Sequence, residues 1–183
     1  MLLKNTNNRY GIIAIALHWV IAAFMIGLTG LGIYMVSLPI NLEKLKLYGW
    51  HKEYGFFLLL LVIIRLIWRL TNKTPVLSIN AWEVLAARIV HWSFYGFMLT
   101  LPITGWLLTS AAGLPASFFG FITLPNLIAP DNQLMQVFQE THKWLGYVLI
   151  GFIICHTAAA LKHHYIDKDN ILMRIIFAQG KDK

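Results

Sequence analysis

The alternation of apolar and polar positions divides the chain into four long apolar stretches separated by short polar segments. They cover residues 11–35, 51–70, 86–109 and 142–164. Each is long enough to cross a bilayer, because about 20 helical residues span its hydrocarbon core. The first runs well past the core of a signal peptide, so we interpret it as a retained helix. The pattern predicts an all-α membrane protein, a four-helix transmembrane bundle forming one domain over 1–183.

The composition agrees with this fold class and restricts the kinds of molecule that the protein is expected to contact. Of 183 residues, 58% are hydrophobic and only 13% are charged, about half the charged fraction of a soluble domain. The net charge of +7 would suggest nucleic acid in a soluble protein, but here the charges lie between apolar runs. We therefore expect a multi-pass membrane protein that contacts lipid and no nucleic acid. The single Cys excludes an internal disulfide and covalent attachment of haem.

The basic residues predict the orientation of the bundle. Eleven of the 15 Lys and Arg lie at the N-terminus, between the second and third helices, or towards the C-terminus. The other four are Lys44, Lys46, Lys52 and Lys143. Because basic residues accumulate on the cytoplasmic side, both termini are predicted to lie in the cytoplasm. The first and third connections then lie outside.

Two further segments have a predicted structure of their own. The longest connection, 110–141, is rich in proline and glycine and is predicted to form an irregular cap over the outer face. Its end, 130–131, is predicted to start a helix that runs into the fourth apolar stretch. Near the C-terminus, the apolar segment 170–177 is predicted to be a short helix at the inner interface.

The chain contains seven histidines, an unusually large number for so apolar a sequence. They are informative because polar side chains inside a membrane are costly and usually face a functional interior. His142 and His156 are 14 residues apart, close to four turns, so they share one helix face about 21 Å apart. His51 lies at the depth of His142, and His18 at the depth of His156. Two imidazoles from facing helices can hold a six-coordinate b-type haem. The sequence therefore predicts two haem b groups, one near each surface.

An internal repeat both supports these sites and leaves one alternative open. Gly55 and Gly146 each follow an outer histidine by one turn, where a missing side chain leaves room for a porphyrin. The first and third helices share a His-Trp motif, in which His91 is the counterpart of His18. An inner haem bound by His18 and His91, without His156, would respect the repeat equally well.

The chain resembles the bacterial cytochrome b561 family over nearly its whole length. The residues that carry the resemblance are Leu17-His18-Trp19, His51, Leu101-Pro102-Ile103-Thr104-Gly105, and the run from His142 through His156 to His163, His164 and Arg174. In this family the resemblance implies two haems, bound by the pairs His18/His156 and His51/His142. It also implies a role for His91 next to the haem ligands or in a quinone site.

Arg65 and an inner group of residues are candidates for contact with haem or quinone. Arg65 follows His51 by 14 residues and should point to the inner haem level, where it can pair with a propionate or a quinone carbonyl. The alternative is that its side chain extends to the cytoplasmic headgroups. The predicted quinone site comprises Trp19, His91, His163 and His164, in which a histidine can supply protons.

The outer lysines suggest the electron donor. Lys52 and Lys143 adjoin the outer histidines, so they can attract a small anion, or they are ordinary interfacial lysines. The family resemblance implies an oxidoreductase that takes electrons from superoxide outside and passes them to ubiquinone in the membrane. Two alternatives stay open: a haem-bearing subunit that anchors a larger dehydrogenase or hydrogenase through a redox partner protein, and a haem-free scaffold or transporter.

Overall fold

The computed structural model describes residues 3–76 and 79–177. The elements in these ranges are α1 (Ile12–Ser37), α2 (Leu42–Thr71), α3 (Ala81–Ala111), β1 (Ala116–Phe118), β2 (Ile122–Leu124), α4 (Asn132–Tyr165) and α5 (Ile171–Ile176). Helices α1 to α4 are long and apolar enough to cross a membrane, which confirms the predicted four-helix membrane bundle. Lys181, Asp182 and Lys183, which contribute to the charge asymmetry, lie outside the described residues.

Helices α2 and α4 begin well before the apolar stretches that predict them. Asn41 caps α2 by accepting a hydrogen bond from the Lys44 backbone N–H at 2.8 Å. Asp131 caps α4 through the backbone N–H groups of Gln133 and Leu134, which confirms the predicted helix start at 130–131. Each helix therefore carries twelve polar-rich residues, 42–53 and 132–143, about 18 Å of helix, before its apolar run.

The bundle is built from two helical hairpins. α1 packs chiefly on α2 and α3 on α4, while α2 and α3 join the hairpins to each other. The buried cluster between them contains Ile21, Leu58, Val62, Phe94, Tyr95, Met98 and Leu149. Large apolar side chains elsewhere on the helices are exposed, Ile154 at 62% for example, as expected of a surface that faces lipid. This pairing matches the internal repeat in the sequence.

The connection between α3 and α4 contains a β-hairpin, so the prediction of an irregular cap is wrong for 116–124. Phe118 pairs with Ile122, and the Phe121 N–H donates to the Phe118 carbonyl at 3.0 Å. Phe119 and Gly120 both have positive φ, 50° and 73°, the backbone of a tight type I′ turn. A left-handed Phe costs about 1 kcal/mol or more. The apolar, aromatic composition gave no Asn-Gly signal for such a turn.

The predicted C-terminal helix is present as α5 and is tied to the inner end of the bundle. The Trp19 indole N–H donates to the Ile175 carbonyl at 2.8 Å. The Arg174 guanidinium donates to the Val76 carbonyl, in the connection between α2 and α3, at 2.9 Å. The chain after α4 therefore folds back against the inner ends of α1 and α2.

Candidate haem sites

The two outer histidines face each other across the bundle. The ring centroids of His51 on α2 and His142 on α4 are 6.1 Å apart, and the ring planes make an angle of 77°. Two imidazoles that share one metal ion, each with a nitrogen about 2 Å from it, have centroids about 6 Å apart. The outer pair therefore has the spacing that bis-imidazole ligation of iron requires.

The neighbours of His142 leave one of its ring nitrogens free. Its Nδ1 lies 3.0 Å from the Leu101 carbonyl oxygen and 3.1 Å from the Thr104 hydroxyl. A carbonyl only accepts hydrogen bonds, so Nδ1 carries the proton and Nε2 is left as a lone-pair donor. This is the usual arrangement of a metal-binding histidine whose second nitrogen is held by the protein.

Two glycines that the sequence analysis missed lie against the outer rings. A Cβ on Gly32 of α1 would lie 3.3 Å from Cε1 of His51, and a Cβ on Gly105 of α3 would lie 3.3 Å from Cε1 of His142. A larger side chain at either place would displace the adjacent imidazole ring. Gly32 follows His18, and Gly105 follows His91, by the same 14 residues that separate other site residues. The repeated interval of 14 residues is the sequence pattern that could have identified these two glycines.

The interval of 14 residues recurs in all four membrane-spanning helices. It relates His18 to Gly32, His51 to Arg65, His91 to Gly105, and His142 to His156. In each helix the two positions share a face, one at the inner level and one at the outer. The sequence repeat therefore appears in the structure as two similar halves around the outer pair.

Open, apolar space adjoins the outer pair on the side of the predicted glycines. A Cβ on Gly55 or on Gly146 would meet no atom within 4 Å, although both glycines are half-buried. A groove of about 310 Å³ runs between α1 and α2 and is lined by Ala23, Phe24, Gly27, Leu28, Leu31 and Tyr54. The open space at Gly55 and Gly146, one turn from each imidazole, fits a macrocycle held between the two rings, whereas the lining of the groove includes neither histidine and neither of these glycines.

Three imidazoles gather at the inner level. The His156 ring contacts the His91 ring, with centroids 5.6 Å apart, and the Phe94 ring at 5.3 Å. His18 lies close enough to His91 and His156 to interact with both electrostatically. The ring contact at this level is between His156 and His91, which is neither of the two pairings, His18/His156 and His18/His91, that the sequence left open.

Arg65 points into the bundle and engages His18. One guanidinium nitrogen donates to the Ala14 carbonyl at 3.2 Å, and another lies 3.4 Å from Nδ1 of His18. Arginine has no acceptor, so Nδ1 of a neutral His18 accepts and its proton lies on Nε2. To bind iron through Nε2, His18 must give up this contact. The extended position at the headgroups, considered as an alternative for Arg65, is not the one adopted.

The predicted quinone residues lie at the inner end of the bundle with different partners. Trp19 uses its indole N–H on α5, as described above. His163 Nδ1 lies 2.7 Å from a carboxylate oxygen of Asp169. Lys162, its neighbour, forms ion pairs with Glu83 and Asp167. His164 Nδ1 is buried without a hydrogen-bond partner among the described residues, so it is the polar atom of this group best able to meet a ligand.

The two lysines predicted to attract an anion differ in their surroundings. Lys143 forms an ion pair with Glu140 on α4, with a hydrogen bond of 2.7 Å. Lys52 has no ion pair or hydrogen bond with any residue that the structure describes. Lys46 lies over the Trp50 ring, 5.0 Å from its centroid. Of the predicted pair, Lys52 therefore carries the uncompensated positive charge near His51.

Comparison with known proteins agrees with the resemblance in the sequence. The sequence model of the prokaryotic cytochrome b561 family matches residues 9–178. The chain is 32% identical to cytochrome b561 homolog 2 of Escherichia coli K12, covering 100% of this chain and 98% of that protein. It is 30% identical to cytochrome b561 homolog 1 of the same organism, covering 92% and 97%. It is also 26% identical to the probable superoxide oxidase CybB of Yersinia pestis, covering 93% and 97%.

Proposed function

Because the chain belongs to the prokaryotic cytochrome b561 family, whose members transfer electrons in the bacterial inner membrane on b-type haem, we propose that it oxidises superoxide and reduces ubiquinone. The observation that carries the proposal is the facing outer pair His51/His142, with a second group of imidazoles one membrane level further in. The similarity to a probable superoxide oxidase supports the choice of donor.

We propose that the whole chain, 1–183, is one domain with two haem b sites. His51 and His142 are the axial ligands of the outer site, and His18 and His156 those of the inner one. Haem b, when bound, supplies the one-electron carriers that the side chains lack. His18 would have to exchange its Arg65 contact to hold the inner haem, and the guanidinium would then be free to pair with a propionate or a quinone carbonyl. Gly55 and Gly146 leave space beside the outer site.

The reaction balances with protons taken from the inner side. Each superoxide ion loses one electron and leaves as dioxygen. Two such electrons, with two protons, convert ubiquinone to ubiquinol. Trp19, His91, His163 and His164 are the residues proposed to line the quinone site. His164, whose buried Nδ1 has no hydrogen-bond partner among the described residues, is the residue that we propose bonds to a quinone oxygen, and the His163/Asp169 pair is proposed to pass protons from the surface.

Haem content and product formation test the proposal. A dithionite-minus-air difference spectrum of the purified protein, with pyridine haemochrome quantitation, is expected to give two haem b per chain. Superoxide generated outside proteoliposomes is then expected to yield ubiquinol inside the bilayer. Two haems without ubiquinol would overturn superoxide oxidation and favour an electron-transfer subunit that serves a partner dehydrogenase or hydrogenase. A haem-free protein would leave only the scaffold or transporter interpretation.

Reversing the charge of Lys52 is expected to slow the reaction with superoxide several-fold at low ionic strength. Lys52 lies beside His51 and has no described acidic partner, so Lys52→Glu replaces attraction of an anion by repulsion. The measurement is the second-order rate constant at several salt concentrations, since screening should shrink the effect. Glu140→Gln, which releases Lys143 from its ion pair, should raise the rate, and Lys73→Glu on the inner side should leave it unchanged. Equal rate constants for Lys52→Glu and the parent protein would show that the charge of Lys52 does not attract superoxide to the outer site.

A further inference from the structure

The connection between α3 and α4 lacks charge to an unusual degree. From 112 to 130 it contains no Asp, Glu, Lys or Arg, although about a quarter of the residues in soluble domains are charged. The segment instead carries Phe118, Phe119, Phe121 and Ile122. Its composition is that of a segment in contact with something less polar than water.

Two contacts fix the depth of the hairpin β1–β2 relative to the membrane-spanning helices. The Phe119 ring packs against Tyr54, with centroids 5.3 Å apart. Tyr54 directly follows Glu53, where the charged turns of α2 end and its apolar run begins. On the other arm of the hairpin, the Trp106 indole N–H donates to the Pro125 carbonyl at 3.1 Å. The hairpin is therefore held at the level where the helices become apolar, about 18 Å below the outer tip of α2.

The tip of the hairpin presents its apolar side chains outwards. Phe121 is 86% exposed and Ile122 is 58% exposed. The strands pair with each other, which satisfies the backbone groups on their facing edges, and those on the outer edges require a level that water still reaches, outside the hydrocarbon core. The strained Phe119 is kept in place by its ring contacts with Tyr54 and, at 5.0 Å, with Phe118. The structure thus holds the exposed apolar tip of the hairpin at the level where the helices become apolar.

We propose that the hairpin β1–β2 is an interfacial anchor, with Phe121 and Ile122 inserted at the boundary between headgroups and acyl chains of the outer leaflet. Aromatic side chains concentrate at this boundary in membrane proteins. The absence of charge along the connection, the contact with Tyr54 and the exposed tip all agree with a lipid surface as the partner.

Spin labelling of the intact protein in phosphatidylcholine nanodiscs tests the anchor. In a Cys155→Ala background, a nitroxide is attached to Phe121→Cys, and the same label on Ile154→Cys and Asn132→Cys gives the lipid and water references. Accessibility to oxygen and to a water-soluble nickel chelate is measured by power saturation. Each value is taken as a difference from a nitrogen-equilibrated sample of the same labelled variant, so the effect of bound haem on relaxation is subtracted separately at each site.

At Phe121 the accessibility to oxygen is expected to exceed that to nickel, as at Ile154. The reverse order, as at Asn132, would overturn the anchor because it would place the tip in water. Low accessibility to both would also overturn it and favour contact with a second copy of the chain. Ile122→Cys provides an independent label site if Phe121→Cys does not fold. Power saturation requires no redox activity, so this experiment can overturn the anchor while the proposed function stands.

Discussion

Replacing His142 with alanine is expected to lower the haem content from two to one haem b per chain. The imidazole faces His51 at 6.1 Å and its Nδ1 is held by Leu101, so its loss leaves the outer site with one axial nitrogen. A six-coordinate haem held by one ligand in an apolar groove loses most of its affinity. Pyridine haemochrome quantitation measures the change, and His51→Ala should give the same result.

His164→Ala is the matched control for this experiment. It also removes a partly buried imidazole from α4, but from a position that is not proposed as a ligand, so both haems should remain. If His142→Ala retains two haems with an unchanged spectrum, the outer pair has been assigned wrongly. Loss of both haems together with aggregation would be a folding defect, which His142→Met, a substitution that keeps a potential axial ligand, distinguishes from loss of one site.

His18→Ala is expected to remove the inner haem, whereas His91→Ala is expected to keep both. The His91 ring contacts the His156 ring. The two assignments that spacing left open, His18/His156 and His18/His91, share His18, so His91→Ala is the variant that separates them and His18→Ala tests the ligand common to both. The measurement is the haem content with the low-temperature difference spectrum, in which His91→Ala should only shift one band. Loss of a haem in both variants would assign the inner site to His18/His91, and loss in His91→Ala with retention in His18→Ala would assign it to His91/His156; either result would contradict the His18/His156 assignment.

Hydropathy predicted the number and order of the membrane-spanning helices but not their outer ends. The turns 42–53 and 132–143 are polar, so an apolar window misses them. They are helical because Asn41 and Asp131 satisfy the first backbone N–H groups. Such caps are local signals, and only the one at 130–131 was used in the prediction.

The sequence predicted the depth of the site histidines in the membrane, but it did not predict which imidazole rings contact each other. The interval from His142 to His156 gives two levels on one helix face, and the structure places His51 opposite His142 as expected. Which rings touch at the inner level depends on side-chain rotamers and on Arg65, a competitor that periodicity does not weigh. The contacts of Gly32 and Gly105 with the outer rings depend on how closely neighbouring helices approach, which no single helix reveals.

The repeated interval of 14 residues has a consequence for the symmetry of the fold. Two identical helical hairpins related by a twofold axis would carry the same residue at each pair of equivalent positions. That identity survives at His18 and His91 and at the outer histidines. It is broken at Arg65, whose counterpart is His156. The two halves of the repeat therefore differ at the inner level, where one half has an imidazole and the other a permanent positive charge, so a twofold axis can relate the outer ligand positions but not the inner ones.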